Sequence, residues 1–518
     1  MHFSKIIFLS LCSFLLLSTG LDAQSYALKG IKSFSSSGIK AILNDKEVVG
    51  YVVFYKTDKA DSKNDNYGFD LLDEKLNKVS TKKVVLPRNA VFLQPVYNGD
   101  ALGLMFYNIT KENYIFRSYD KELKELGSVI TEKPNKFERA ALGQMEGDAA
   151  ASFYGLHAVP GKGFVRAGYG EDKDKYRITF YDNNFKTKWS YQTPEASKDF
   201  ETFLISDVNE KYVTGTTMRR DGLMSRKIEY FLTVFDVETG KKILDTSVEN
   251  AKEQLSISST ILLKGTDQMV LQGEFYDLDD KPGVNKSKGF YLKTYDLNTG
   301  KELSEKKFSW AKDMAKLFNA KGKESLEDKY LNFPHDLFKA ANGHYYMAFE
   351  QFKKVADGAG IAMVALGGSA SFVKIRVGNL WVLEMDGDFK PLALQYYEKD
   401  GSDVGLPAGA GMVGAGMLGY FVKSIGGFDY QFLQQNKDES TFNMAYINYD
   451  REKGEKSKTI VGNIFLAKDG TLNFDKVDIT APKRSTLSLY SAQGSNIMLS
   501  TYNSKEKTLE LRLVKLNY

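Results

Sequence analysis

Cysteine is nearly missing from this 518-residue sequence, and the single one, Cys12, lies in an apolar run near the start. Beyond that run there is no thiol, which excludes a disulfide framework, thiolate zinc sites and cysteine nucleophiles. An excess of one charge is missing as well. The 70 Lys and Arg residues nearly cancel the 66 Asp and Glu, so no polyanion-binding footprint develops and nucleic acid is not an expected partner. Histidine is scarce. His157, His335 and His344 are the three after the first segment, and none has the spacing of a helical zinc site. No Gly-x-Ser-x-Gly elbow and no phosphate loop occurs. The motifs therefore name no reaction, no metal and no cofactor.

Met1–Ala23 has the pattern of a secretory signal peptide. Lys5 is its basic start, Ile6–Leu17 its apolar run and Ser18–Ala23 its cleavage region, with Gln24 as the expected new terminus. Cys12 is not a lipid acceptor on this reading, because Leu11 precedes it and Ser13–Leu17 continues the apolar core. Export is expected, to the periplasm, the outer-membrane surface or the extracellular space.

What is abundant is the aromatic hairpin. Aromatics make up 13% of residues against only 10 prolines, which suits strands. In Tyr295-Asp296-Leu297-Asn298-Thr299-Gly300-Lys301 an alternating run meets turn chemistry and leaves again as a strand. An apolar residue followed by Asp recurs at Leu72-Asp73, Tyr119-Asp120, Tyr181-Asp182, Phe235-Asp236, Tyr295-Asp296, Met385-Asp386 and Tyr449-Asp450. A second series of turns interleaves with these: Asn44–Glu47, Asn98–Ala101, Pro160–Gly163, Asn209–Tyr212, Gly265–Gln268, Asn342–His344, Asn436–Ser440 and Gln493–Asn496. Labelling strands A to D from the centre outward, the second series is A-to-B and the aspartate series C-to-D. The period slightly exceeds the roughly 40 to 50 residues of a four-stranded propeller blade.

The pattern predicts an all-β, single β-propeller over residues 24–518, with eight blades favoured and seven as the alternative, because Phe465–Ile479 reads as an extra hairpin. The last blade runs Thr486–Ala492, Asn496–Tyr502 and Thr508–Asn517 and lacks an outer strand. Ser25–Phe34 is the segment left to supply it and close the ring.

Asp236-Val237-Glu238-Thr239-Gly240-Lys241 and Asp296 to Lys301 resemble the hairpins of quinoprotein and WD-type propeller repeats, with Tyr181 to Trp189 a looser copy. The quinone enzymes carry vicinal cysteines and a tryptophan in most blades, and this sequence has neither. More broadly, the chain is similar to uncharacterised secreted propeller-like proteins of bacterial envelopes. That resemblance implies a fold and no activity.

Parity locates the insertions. In an up-and-down blade the D-to-A and B-to-C connections share one face, and the long ones, at about 309–327, 353–374 and 401–427, all belong to it. Ser309–Gly322 reads as a helix with Trp310, Met314, Leu317 and Phe318 on one side and Gly322 as its stop. Gly358–Val373 and Val404–Val422 contain no charge. The candidate binding residues are Ile361, Met363, Val364, Leu366, Phe372, Met412, Val413, Met417, Leu418 and Phe421. These runs can pack into an inert satellite core, form a docking patch for a protein or apolar ligand, or touch a membrane peripherally. The Gly409 to Gly414 and Gly414 to Gly419 matches to a dinucleotide fingerprint lack the strand that should lead in.

Four further features are candidates. His335, near the start of the inner strand of blade six, is a possible channel residue, with a hydrogen-bonded structural histidine as the plainer reading. Arg219, Arg220 and Arg226, beside Lys227, form a possible anion-binding cluster on the insertion face. Asp277-x-Asp279-Asp280 and Asp61 to Asp65 are acidic turns that complete no calcium loop. Paired carboxylates over the channel would mean glycan or peptide hydrolysis. The expectation is a secreted, non-enzymatic scaffold binding a protein or apolar ligand through blades six and seven. The alternatives are a hydrolase at the channel mouth and a peripheral membrane protein.

Overall fold

The structure is a computed structural model that describes residues 24–516, apart from 35–37, 45, 132, 136–137, 140–154, 170–174, 195–199, 223–224, 226, 283, 328–329, 366–370, 407–413, 451–457, 468 and 480–484. The expected signal peptide lies outside the described residues. Eight antiparallel sheets make up the described chain; seven have their four blade strands in sequence order, and the last takes its outer strand from the start of the chain. The chain is an all-β, eight-bladed propeller. All eight turns of the second series join strand A to strand B.

The ring closes as the leftover segment suggested. Ser25–Lys29 pairs antiparallel with Thr508–Arg512 of the last blade, giving it an outer strand from the opposite end of the chain. Tyr26 is buried in that seam and donates its hydroxyl hydrogen to Asp70 of blade one. The edge that an open eighth blade would expose is thereby paired.

Six of the seven apolar-Asp pairs are C-to-D turns, built in two ways. Asp236 and Asp296 accept from the backbone and hydroxyl of Thr239 and Thr299, and Gly240 and Gly300 take the left-handed position. Asp73, Asp120, Asp182 and Asp386 each accept two backbone N–H bonds, from residues two and four further on. There the left-handed residue is Leu76, Leu123, Phe185 or Phe389, with φ of 64°, 61°, 57° and 60°. A bulky side chain at such a φ costs about 1–3 kcal/mol. All four are buried, which recovers a similar amount.

The seventh pair is a correction. Asp450 ends strand B of blade seven (Phe442–Asp450), where it opposes Lys458. The C-to-D turn of that blade is Ala467–Thr471, with Asp469 accepting from Thr471 N–H and Gly470 at φ 81°. Phe465–Ile479 is therefore the outer hairpin of blade seven and no extra element, which removes the seven-blade alternative.

Seams between blades are filled with rings. Phe54 meets Tyr67, Phe92 and Phe106 between blades one and two. Phe349 lies 3.9 Å over Trp381 at 9° beside Phe290 and Trp310 between blades five and six. Each aromatic pair adds about 0.5–1.5 kcal/mol beyond its buried area.

Candidate functional site

Blade six is enlarged on the face where B-to-C and D-to-A connections run. Its strands B (Tyr345–Ala356) and C (Val373–Met385) continue together past a bulge at Glu350, through the rungs Phe352↔Val377 to Ala356↔Val373. Ser402–Gly405 pairs with Lys374–Val377, so the extension is three-stranded. Three helices accompany it: α1 (Ala320–Glu327) before the blade, α2 (Gly358–Ala365) at the hairpin tip and α3 (Ala415–Ser424) before blade seven.

The segment preceding blade six differs from the expected single helix. Trp310–Met314 forms a π-helical turn capped by Ser309, Ala315–Leu317 continues it, and Phe318 breaks it with extended backbone. Phe318 turns inward to meet Trp381 edge-on, with 5.1 Å between ring centroids. Gly322 is inside α1 instead of ending a helix. Trp310 and Met314 face the blade-five/blade-six core as the periodicity indicated.

The two uncharged segments behave differently. α3 lies across the enlarged blade, with Leu418 1% and Val422 0% exposed among Phe333, Phe352, Ile375, Val377 and Phe428. Glycines allow that approach. A β-carbon at Gly416 would overlap the Pro282 carbonyl, and one at Gly419 would overlap Phe333. Ala415 N–H donates to Val284 O at 2.9 Å. The second Gly-x-Gly-x-x-Gly match is thus a close-packing device at the start of a helix. The α2 hairpin remains outside: Ile361 and Met363 of α2 are 45% and 53% exposed, and Phe372, just before strand C, is 57% exposed.

Of the remaining candidates, Met417 is half-buried and Phe421 packs at the edge of the α3 cluster. Leu366, Met412, Val413 and Arg226 lie outside the described residues, as does the side chain of Val364. Arg219 is held between Glu201 at 3.2 Å and Asp245 at 2.7 Å, over the Phe231 ring. Its neighbour Arg220 ends strand B of blade four. Asp277 and Asp280 both face the Lys288 ammonium, at 2.8 and 4.0 Å.

Beneath α3, where blade six meets blade seven, is a buried ionic network that sequence reading missed. Glu350 and Lys399 pair at 2.9 Å with both side chains fully buried, and Lys399 also contacts Asp429. Glu350 accepts from Asp429 N–H at 3.2 Å and Tyr430 N–H at 3.1 Å, and Ser402 Oγ donates to Asp429. Burial alone would raise the Glu350 carboxyl, but the Lys399 ammonium and the His335 bond outweigh it and hold it at about 2. Asp429 moves the other way, raised by burial and by Glu350.

His335 belongs to this network. It stands in the inner strand of blade six (Leu331–Lys339), but its ring is sealed from solvent, stacked on Tyr430 at 4.3 Å and flanked by Phe333 and Phe428. Nε2 lies 3.0 Å from Glu350 and Nδ1 3.4 Å from the Lys423 ammonium. With a carboxylate on one side and an ammonium on the other, Nε2 donates and Nδ1 accepts. Burial, with Lys423 adding to it, holds the imidazole at about 4, so it is neutral at pH 7.

The opposite face carries a different feature. A cavity of about 900 Å³ occupies the channel mouth, lined by inner-strand ends and A-to-B turns of blades one to five, with His157, Asp207, Glu210, Lys211 and Asp267 in its wall. Asp267 pairs with Lys211 at 2.9 Å. Burial raises Asp207 to about 6 although Leu262 N–H and Val208 N–H bond to it. Among the described residues, no three His, Cys, Asp or Glu side chains gather as a metal site.

Several solved structures are similar to the chain at low identity. The WD40 domain of SCAP from fission yeast is 8% identical, with a TM-score of 0.38 over 92% of this chain and 97% of that one. A polysaccharide lyase, an ulvan lyase, is 8% identical with a TM-score of 0.40 over 83% and 93%. A post-proline cleaving enzyme from Rickettsia typhi is 9% identical with a TM-score of 0.37, over 91% of this chain but 58% of its own. No curated protein matches the sequence. The model of the family of unknown function DUF6770 matches residues 3–517, and the chain belongs to that family.

Proposed function

We propose that this chain is an exported, non-enzymatic propeller scaffold that engages a partner through the hairpin extension of blade six. The supporting observation is the contrast between two segments of similar composition. α3 turns its large apolar side chains into the protein, whereas the α2 hairpin leaves Ile361, Met363 and Phe372 in solvent on the same face. Large apolar side chains left outside on one hairpin, while a segment of like composition buries its own, mark a surface with a partner. The base is rigid: three paired strands, the α3 cluster and the buried ionic network hold the hairpin in place. Rigid presentation lowers the entropic cost of binding. On this reading Ile361, Met363 and Phe372 make contact, while Leu418 and Phe421 pack on the strands that form the base of the hairpin.

The test compares crosslinked capture from the native cell envelope by the intact chain and by Ile361→Ser/Met363→Ser/Phe372→Ser. Leu43→Ser, at the channel mouth, is the control. Species recovered with the intact chain and the control but lost with the triple variant, at unchanged melting temperature, support the reading. Recovery unchanged by the triple variant refutes it.

A further inference from the structure

We infer that the channel mouth, on the face opposite the hairpin, is a binding site for a small uncharged saccharide. The cavity holds about 900 Å³, within the roughly 300–1,000 Å³ of sites that enclose small molecules. Its wall is amphipathic. Pro95, Val96 and Leu263 supply apolar surface, and Gln94, His157 and Asp207 join them from the inner strands of blades two, three and four. The strands of Gln94 and Asp207 are bulged at those residues, and a bulge re-aims the side chain next to it.

Hydrogen-bonding capacity remains on all three polar groups. Gln94 donates from Nε2 to Leu156 O at 2.9 Å, which fixes Oε1 as the acceptor, and that oxygen is buried without a partner. A buried acceptor left so in a native wall calls for a group to bond to it. Asp207 accepts one backbone N–H on each oxygen, from Val208 at 2.8 Å and Leu262 at 2.7 Å, and a carboxylate has about four acceptor sites. His157, held neutral by burial, offers one N–H and one lone pair. The lysines of the wall are committed: Lys46 pairs with Glu439 and Lys211 with Asp267, each at 2.9 Å, and Lys264 is engaged as well. An anionic ligand would have to compete with those pairs. Burial raises Asp207 to about 6, the mark of a site that disfavours charge, which argues against a cationic one. Saccharide hydroxyls donate and accept at once, and ring C–H faces cover apolar wall, so one uncharged class meets both halves of the cavity.

Titration calorimetry of the full chain tests this with glucose and cellobiose, and with glucuronate and glucosamine as charged counterparts. The expected result is a Kd of about 1 mM or tighter for cellobiose, weakened about tenfold by Gln94→Leu or His157→Leu and unchanged by Leu303→Ser on the outer strand of blade five. No binding of either neutral sugar, tighter binding of a charged one, or affinity untouched by both cavity variants overturns the inference. Location is read separately, with the three polar groups intact. In a Cys12→Ser background a nitroxide on Glu210→Cys, in the cavity wall, should broaden the cellobiose resonances, and one on Leu303→Cys should not. Equal broadening by the two labels, or none by either, overturns the site whatever the stability of the cavity variants. Envelope capture by the hairpin is a different measurement on the other face, so failure of either reading leaves the other standing.

Discussion

Replacing Lys399 by Met isolates the energetics of the seam beneath α3. Lys399 is the cation between Glu350 and Asp429, and its side chain is fully buried, like that of Glu350. Met keeps most of the stem volume and removes the charge. Two carboxylates are then left facing each other in a low-dielectric site, and breaking such a pair costs about 3–5 kcal/mol. Unfolding entropy of ~2.1 cal/mol/K per residue over roughly 490 residues is about 1 kcal/mol/K, so the melting temperature should fall by about 3–5 °C at pH 7.

The pH dependence carries the signature. In the native protein Glu350 sits at about 2, below its ordinary 4.5. Its contribution is fully present above pH 4.5 and is lost as pH falls toward 2. In Lys399→Met the paired carboxylates gain stability by taking up a proton, so the gap between variant and native should narrow between pH 7 and 4. Scanning calorimetry at both ends reads it. A variant melting within about 1 °C of the native chain at pH 7, or a gap that widens on acidification, would refute the reasoning. Glu350→Gln added to Lys399→Met should recover part of the loss, since the two sites are coupled.

Three other outcomes are expected. Burial holds His335 and His157 at about 4, below their ordinary 6.5, so each costs stability as pH falls from 6.5 to 4; Asp207, raised to about 6, opposes them by gaining stability from pH 6 down to 3.8. His157→Gln/His335→Gln should flatten the native decline in melting temperature over that range. Gly416→Ala places a β-carbon on the Pro282 carbonyl and should destabilise by about 1–3 kcal/mol, read as faster limited proteolysis around α3. A chain beginning at Ile31 loses the five rungs that close blade eight and should associate through the freed Thr508–Lys515 edge, seen as larger species by light scattering.

The propeller, its closure and its enlarged face were legible in the sequence. Turn chemistry is local: an aspartate with its acceptor oxygens, a Thr-Gly pair or an amide-rich turn records a hairpin wherever it stands. Six of seven aspartate turns fell in place for that reason. Tyr449-Asp450 misled because an apolar residue before Asp also occurs where a strand ends, and only the pairing of Asp450 with Lys458 distinguishes the two. The second aspartate turn carried a readable signal, an apolar residue three places on, as at Asp73 and Leu76 or Asp386 and Phe389.

By itself the sequence determined that the chain is a ring of repeated hairpins, which segment is left over to close it, and by parity which face bears the insertions; these follow from short-range chemistry and strand counting, whereas the choice of eight blades over seven needed the pairing of blade seven. Which uncharged run would be buried was decided only in three dimensions. Gly358–Val373 and Val404–Val422 are alike in composition, but only α3 finds the cleft between Phe333 and Phe352 into which Leu418 and Val422 fit. The ionic network is likewise tertiary, because Glu350, Lys399 and Asp429 come from a strand and two connections far apart in the chain. Charges are tolerated there because the fold brings each within reach of the others and shuts out the water that would otherwise solvate them.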